Sequence, residues 1–189
     1  MIDELKSTEL IIHRATCAPN AWTFKMKPVK ELLDRYVGDG KGWVDMFAGD
    51  NSPAECRNDW HPERKSEYHM DAQEFCKFVK GPFIGVIFDP PYSYRQISEH
   101  YKETGRRATS IDTSANFYNR VMNAICDKIN IDGYAISFGW NSSGFGRNRG
   151  FVPVELLILN HGASHHNDTL CLVENRIDSG IKDDKKSSL

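Results

Sequence analysis

Pro82-Phe83-Ile84-Gly85-Val86-Ile87-Phe88-Asp89-Pro90-Pro91-Tyr92 is the stretch that decides how this chain folds. Its first seven residues carry no charge and show no polar alternation. A strand of that composition buries both faces, as a central strand of a parallel sheet does. An acid, two prolines and an aromatic follow at once. Proline cannot donate to a sheet ladder, so the strand must end there. In an open α/β sheet, ligands bind beyond the carboxyl ends of the strands. Asp89 and its neighbours therefore stand where a ligand is expected.

Outward from this strand, the pattern alternates. Pro28 to Val37 predicts a helix, with Val29, Leu32, Leu33, Tyr36 and Val37 on one face and Gly38 and Gly40 ending it. Gly42 to Gly49 predicts a buried strand running into a glycine turn. Ala54 to Asp59 and Tyr68 to Ala72 are short strand candidates, followed by a short helix through Phe75, Phe78 and Val79. A second long helix is expected over Ser114 to Ile129, with Ser114 as its cap. Gly133 to Trp140 reads as another strand. Val154 to Leu159 and Thr169 to Glu174, joined by a polar loop, read as an antiparallel pair. The expected fold class is α/β, Rossmann-like, with a mostly parallel sheet and an antiparallel final strand. A single domain over residues 1–177 and a charged tail over 178–189 are expected. One spacing is unusual. Asp50 to Pro53 leaves almost no chain before the second strand, whereas a parallel crossover takes a dozen or more residues. Either the first crossover helix is absent or one of the two strands is misplaced.

Composition narrows the class. The chain has 189 residues, 40% of them apolar, 26% charged, and a net charge of -2, so a nucleic-acid contact would have to come from a local basic patch. No apolar run is long enough to cross a membrane. Five scattered cysteines without a CxxC pair suit reduced thiols in a cytoplasm. His161, His165, His166 and Asp168 match no zinc spacing, and no metal is expected.

The chemistry of Asp89-Pro90-Pro91-Tyr92 follows from its residue types. The exocyclic amine of a nucleobase is a poor nucleophile because its lone pair is delocalised into the ring. A carboxylate and a carbonyl that both accept its N–H protons favour a pyramidal nitrogen and offset the charge of attack. Asp89 supplies the carboxylate, the Pro90 carbonyl is the second acceptor, Pro91 helps stiffen the turn, and Tyr92 offers a face for a flipped base.

These motifs resemble the amino-methyltransferases of DNA, in particular the small adenine-specific family of phages and prophages. The resemblance runs from about Trp22 to Glu174. It implies S-adenosyl-L-methionine as cofactor, bound by Trp22, Thr23 and Phe24, by Asp45, Phe47, Ala48 and Gly49 of the first motif, by Asn58 and Asp59, by Asp71 and Ala72, and by Asp89. Gly133 to Asn141 and His166-Asn167-Asp168-Thr169 resemble later motifs. Each element has a plainer reading: Phe47 and Gly49 as a strand end, Asp59 as a turn cap before Pro62, Asp71 as a helix N-cap. The first motif also lacks the family's second glycine. Arg95, Lys102, Arg106 and Arg107 after the catalytic motif, and Arg147 and Arg149 among glycines, are the expected phosphate contacts near the active face. Little chain remains for a recognition domain, so recognition is expected to be short, weak, or supplied by a second subunit or a separate specificity partner. DNA is the expected partner. RNA, with N2-guanine modification, and N4-cytosine in DNA remain open, as does an idle phage regulator.

Overall fold

The computed structural model describes residues 9–18, 20, 22–91, 115–162 and 167–178. Tyr92, Arg95, Lys102, Arg106, Arg107, Ser114, His165, His166 and the tail beyond Asp178 lie outside the described residues.

Seven strands form one sheet: β1 (Ile11–Thr16), β2 (Trp43–Asp45), β3 (Cys56–Arg57), β4 (Phe83–Phe88), β5 (Ile129–Gly139), β6 (Phe151–Asn160) and β7 (Thr169–Arg176). Their order is β1-β6-β7-β5-β4-β2-β3. Only β7 runs antiparallel to its neighbours; the other pairs are parallel. The expected fold class is therefore observed. Helices cover both faces. α1 (Lys27–Tyr36) buries Val29, Leu32 and Leu33 against Trp43, Ile87, Ile136 and Val173. On the other face, α2 (Ala72–Phe78) and α3 (Ala115–Cys126) bury Phe75, Val121 and Ile125 against Val44, Val86, Phe88 and Ala135. β4 thus sends alternate residues into two separate cores, which is why its sequence shows no polar alternation.

The structure adds one strand, removes another and resolves the open crossover. β1 was not anticipated: it lies on the sheet edge beside β6, and five of its six residues are exposed. Such a strand lacks the alternation that marks a half-buried one. Tyr68 to Ala72 is not a strand. It makes one parallel bridge, Asn58 to Tyr68, and then enters α2, whose N-cap is Asp71. The crossover question is settled in favour of a missing helix. β2 and β3 pair in parallel, yet residues 46–55 between them contain no helix.

The glycine-rich segment 142–150 is a further surprise. It forms a fitted plug. Phe145 is fully buried against Phe88 and Phe151. Glu174 of β7, also buried, accepts the Phe145 and Gly146 N–H groups at 2.6 and 2.9 Å. Burial pushes its pKa up while those two bonds and Arg149 pull it down. Gly144 has φ +53°, and a Cβ there would stand 2.2 Å from the Glu174 carboxylate, so glycine is required by conformation and by space. Glu174→Ala strands one buried and one part-buried N–H group, and a loss of about 2 kcal/mol in urea unfolding is the expected result. An unchanged midpoint would mean the plug holds without its carboxylate.

Candidate active-site crevice

Strand order reverses between β2 and β4. β2 leads outward to β3, while β4 leads the other way to β5. A crevice opens at such a point beyond the carboxyl ends. Asp45, the last residue of β2, pairs with Ile87. The turn after β2 and the Asp89-Pro90-Pro91 turn therefore leave the sheet side by side. The two strongest motifs of the sequence meet here.

Asp45 lies wholly inside the protein. One carboxylate oxygen accepts the Phe47 N–H at 2.8 Å, and the other accepts the Ser52 hydroxyl at 2.6 Å. Its pKa is pushed up to about 7, first by burial, with smaller contributions from the negative charges of Asp89 and Asp59; the bonds from Ser52 and Phe47 oppose the shift. Asn58 is also fully buried and uses its whole amide: the NH2 donates to the Met46 and Met70 carbonyls, and the oxygen accepts the Met70 N–H. Its backbone carbonyl takes the N–H of buried Ala48 at 2.9 Å. Asp59 accepts the Gly49 N–H at 2.9 Å and the His61 N–H at 2.8 Å. Asp45, Ser52, Asn58 and Asp59 thus do by side chains what a crossover helix would do by packing. Gly49 has φ +53° and open space where a Cβ would stand, so the chain bends here in a conformation that favours glycine.

The other candidate residues sort by position. Asp89 is half-buried, near enough for its charge to act on Asp45 and on the buried Cys171 thiol. Pro90 is buried, and the Pro91 carbonyl accepts a hydrogen bond from the Tyr118 hydroxyl. Phe47 packs edge-on against Phe88 and Tyr118. Thr23 and Phe24 form a short 3-10 turn ahead of α1, and Phe24 packs on Phe138 of β5 at 5.3 Å. Trp22 is partly exposed, with the Arg64 guanidinium and the Lys25 ammonium each 5.6 Å from its ring centre. Arg64 also pairs with Asp50 at 3.0 Å. Asp71 caps α2, accepting from Gln73 and Glu74, and Ala72 is buried in the core beneath it. The plainer reading of Asp71 is thus a real part of its role.

Arg147 and Arg149 were expected near the active face, but their backbone lies away from the carboxyl ends of the strands. They immediately precede Phe151, which pairs with Arg176 at one end of β7. Phe88 lies level with Ser137 and Leu172, four residues nearer the other end, or about 13 Å along the strand. Arg149 is also committed: it donates to the Asn119, Asn123 and Phe145 oxygens. Among the described residues, no group of three or more His, Cys, Asp or Glu is placed to hold a metal.

The reading of motifs missed Ser52, Arg64 and Tyr118. Ser and Tyr outside a motif carry no periodic signal, and only the fold brings them to these turns.

No family model and no curated protein matches the sequence. Solved structures do match in fold. The N1-methyltransferase of 1,6-didemethyltoxoflavin from Burkholderia thailandensis, crystallised with S-adenosylhomocysteine, is 13% identical, with TM-score 0.55 over 81% of this chain and 78% of that one. The N-methyltransferase NodS from Bradyrhizobium japonicum is 11% identical, with TM-score 0.52 over 82% of this chain and 97% of that one. TrmN from Thermus thermophilus is 11% identical, with TM-score 0.52 over 79% of this chain; the chain spans about half of its length, 48%. The protein has the α/β fold of these methyltransferase structures.

Proposed function

We propose that this chain is an S-adenosylmethionine-dependent amino-methyltransferase acting on the exocyclic amine of a nucleobase, N6 of adenine in DNA. The observation that carries the reading is the side-by-side exit of the Asp45 to Gly49 turn and the Asp89-Pro90-Pro91 turn at the switch point. A cofactor turn and an amine-gripping turn must be neighbours for direct transfer.

The residues present suit this cofactor. Asp59 and Asp89 concentrate negative charge around the crevice, and the smaller upward push they add to burial at Asp45 registers it. That field favours a cationic ligand. S-adenosylmethionine supplies a methyl group made electrophilic by a sulfonium centre. Asp59 uses two of about four carboxylate lone pairs on backbone N–H groups, leaving capacity for ribose hydroxyls. Phe24 and Trp22 supply apolar surface ahead of α1. Asp89 and the Pro90 carbonyl accept the amine protons and orient its lone pair. Trp140, 49% exposed just past the end of β5, offers a stacking face for a base.

The adenine assignment rests on the motif, in which Asp rather than Ser or Asn opens the catalytic tetrapeptide. Nucleoside analysis of DNA and of RNA, each incubated with the full chain and methyl-labelled S-adenosylmethionine, tests it. Labelled N6-methyladenine in DNA is the expected product. Label confined to RNA, or to cytosine, overturns the assignment of the base while keeping the chemistry. No label in either overturns both.

A further inference from the structure

We infer that Tyr118 is the positioning residue of the catalytic turn; the inference rests on the function proposed above. Pro90 and Pro91 have no N–H to donate. Their ring-fixed φ angles leave rotation about ψ as the soft coordinate, and rotation about ψ swings the carbonyl groups. A turn made of two prolines must therefore be held from outside, through its carbonyl oxygens. The Tyr118 hydroxyl does this, donating to the Pro91 carbonyl from the first turns of α3. The anchor is itself braced. Its ring stands edge-on to Phe88 at 6.1 Å and to Phe47 at 6.4 Å. Phe88 immediately precedes Asp89, and Phe47 belongs to the turn that Asp45 organises. One side chain thus touches the catalytic strand, the catalytic turn and the neighbouring turn of β2. With the Pro91 carbonyl occupied by Tyr118, the preceding Pro90 carbonyl keeps a fixed direction for the substrate amine.

Tyr118→Phe in the full chain tests this, because it removes one hydroxyl and keeps the aromatic packing. Two readouts are taken: steady-state methyl transfer, and the NMR signals of carbonyl-13C proline. The expected result is a Pro91 carbonyl signal that moves or splits, with kcat down about tenfold and the KM for S-adenosylmethionine unchanged, as loss of one orienting hydrogen bond requires. A purely structural role would instead lower the melting temperature and leave kcat of the folded fraction alone. Unchanged kcat alongside a shifted Pro91 signal overturns the inference, as does a Pro91 signal that does not move. A wild-type chain that methylates nothing removes the proposed function instead, and the carbonyl signal then decides by itself whether Tyr118 holds the turn.

Discussion

Asp89→Ala ends methyl transfer: turnover falls roughly a thousand-fold, the scale of losing a preorganised group that stabilises charge where it develops. Asp89 is the one side chain of the catalytic turn able to accept an amine proton, because both neighbouring prolines offer only carbonyls. Asp89→Asn keeps an acceptor oxygen but not the charge, and falls between the two. Binding of S-adenosylhomocysteine, followed by calorimetry, weakens but is not lost in either variant, since Asp89 is one cofactor contact among several and the turn that Asp45, Asn58 and Asp59 organise is untouched. Turnover by Asp89→Ala equal to that of the wild type would sink the proposed function. A correlated effect is expected at Asp45. Removing the Asp89 charge takes away part of what raises its pKa, so Asp45 titrates lower in the variant.

The second large effect concerns pH. Burial, reinforced by Asp89 and Asp59, lifts Asp45 to about 7, against about 3.9 in an unfolded chain. The folded state therefore holds this proton more tightly than the unfolded state does. The resulting stabilisation is complete below about pH 4 and is lost as pH rises toward 7. A difference of about three pKa units corresponds to at most about 4 kcal/mol. Asp45→Asn has no charge to desolvate, and its amide can serve the Phe47 N–H and the Ser52 hydroxyl. Urea unfolding of this variant should show a flat pH profile for this contribution and greater stability than the wild type above pH 8. A wild-type profile that rises from pH 4 to pH 8, with the variant parallel to it, would show that Asp45 is ionised throughout. The excess stability would come at a functional cost, because the substitution withdraws one negative charge from a crevice proposed to hold a sulfonium.

Much of this was legible in the sequence, and the reasons differ by element. β4 and its Asp-Pro-Pro turn were readable because a doubly buried strand and a proline stop both leave strong local marks. α1 was readable from its apolar spacing, and the β6–β7 pair from two β-rich runs around a polar loop. β1 was not, because a mostly exposed edge strand has nothing to alternate. The glycines of residues 142–150 suggested freedom. Their real constraint, the carboxylate of Glu174, is some thirty residues away and unrelated in pattern. The same limit misplaced Arg147 and Arg149. Sequence places them after β5, but only strand register shows the chain has by then travelled back along the sheet. Asp45, Asn58 and Asp59 were singled out from their motifs, and the fold brings them together at the turns after β2 and β3. Their acceptors and donors turned out to be committed largely to the backbone of the surrounding turns, at Met46, Phe47, Gly49, His61 and Met70, which no spacing rule reports.

The absent crossover helix changes how this crevice wall tolerates alteration. A helix spreads its support over many interchangeable apolar contacts, so single replacements cost little and add up simply. Here Asp45 and Ser52 share a hydrogen bond, while Asn58 and Asp59 tie the same turn through the Met46 carbonyl and the Gly49 N–H, and residues that hold one turn do not behave independently. Once the first is lost, losing the second costs less. The wall is therefore brittle to a first replacement and forgiving of later ones, and any redesign of it has to exchange the four together.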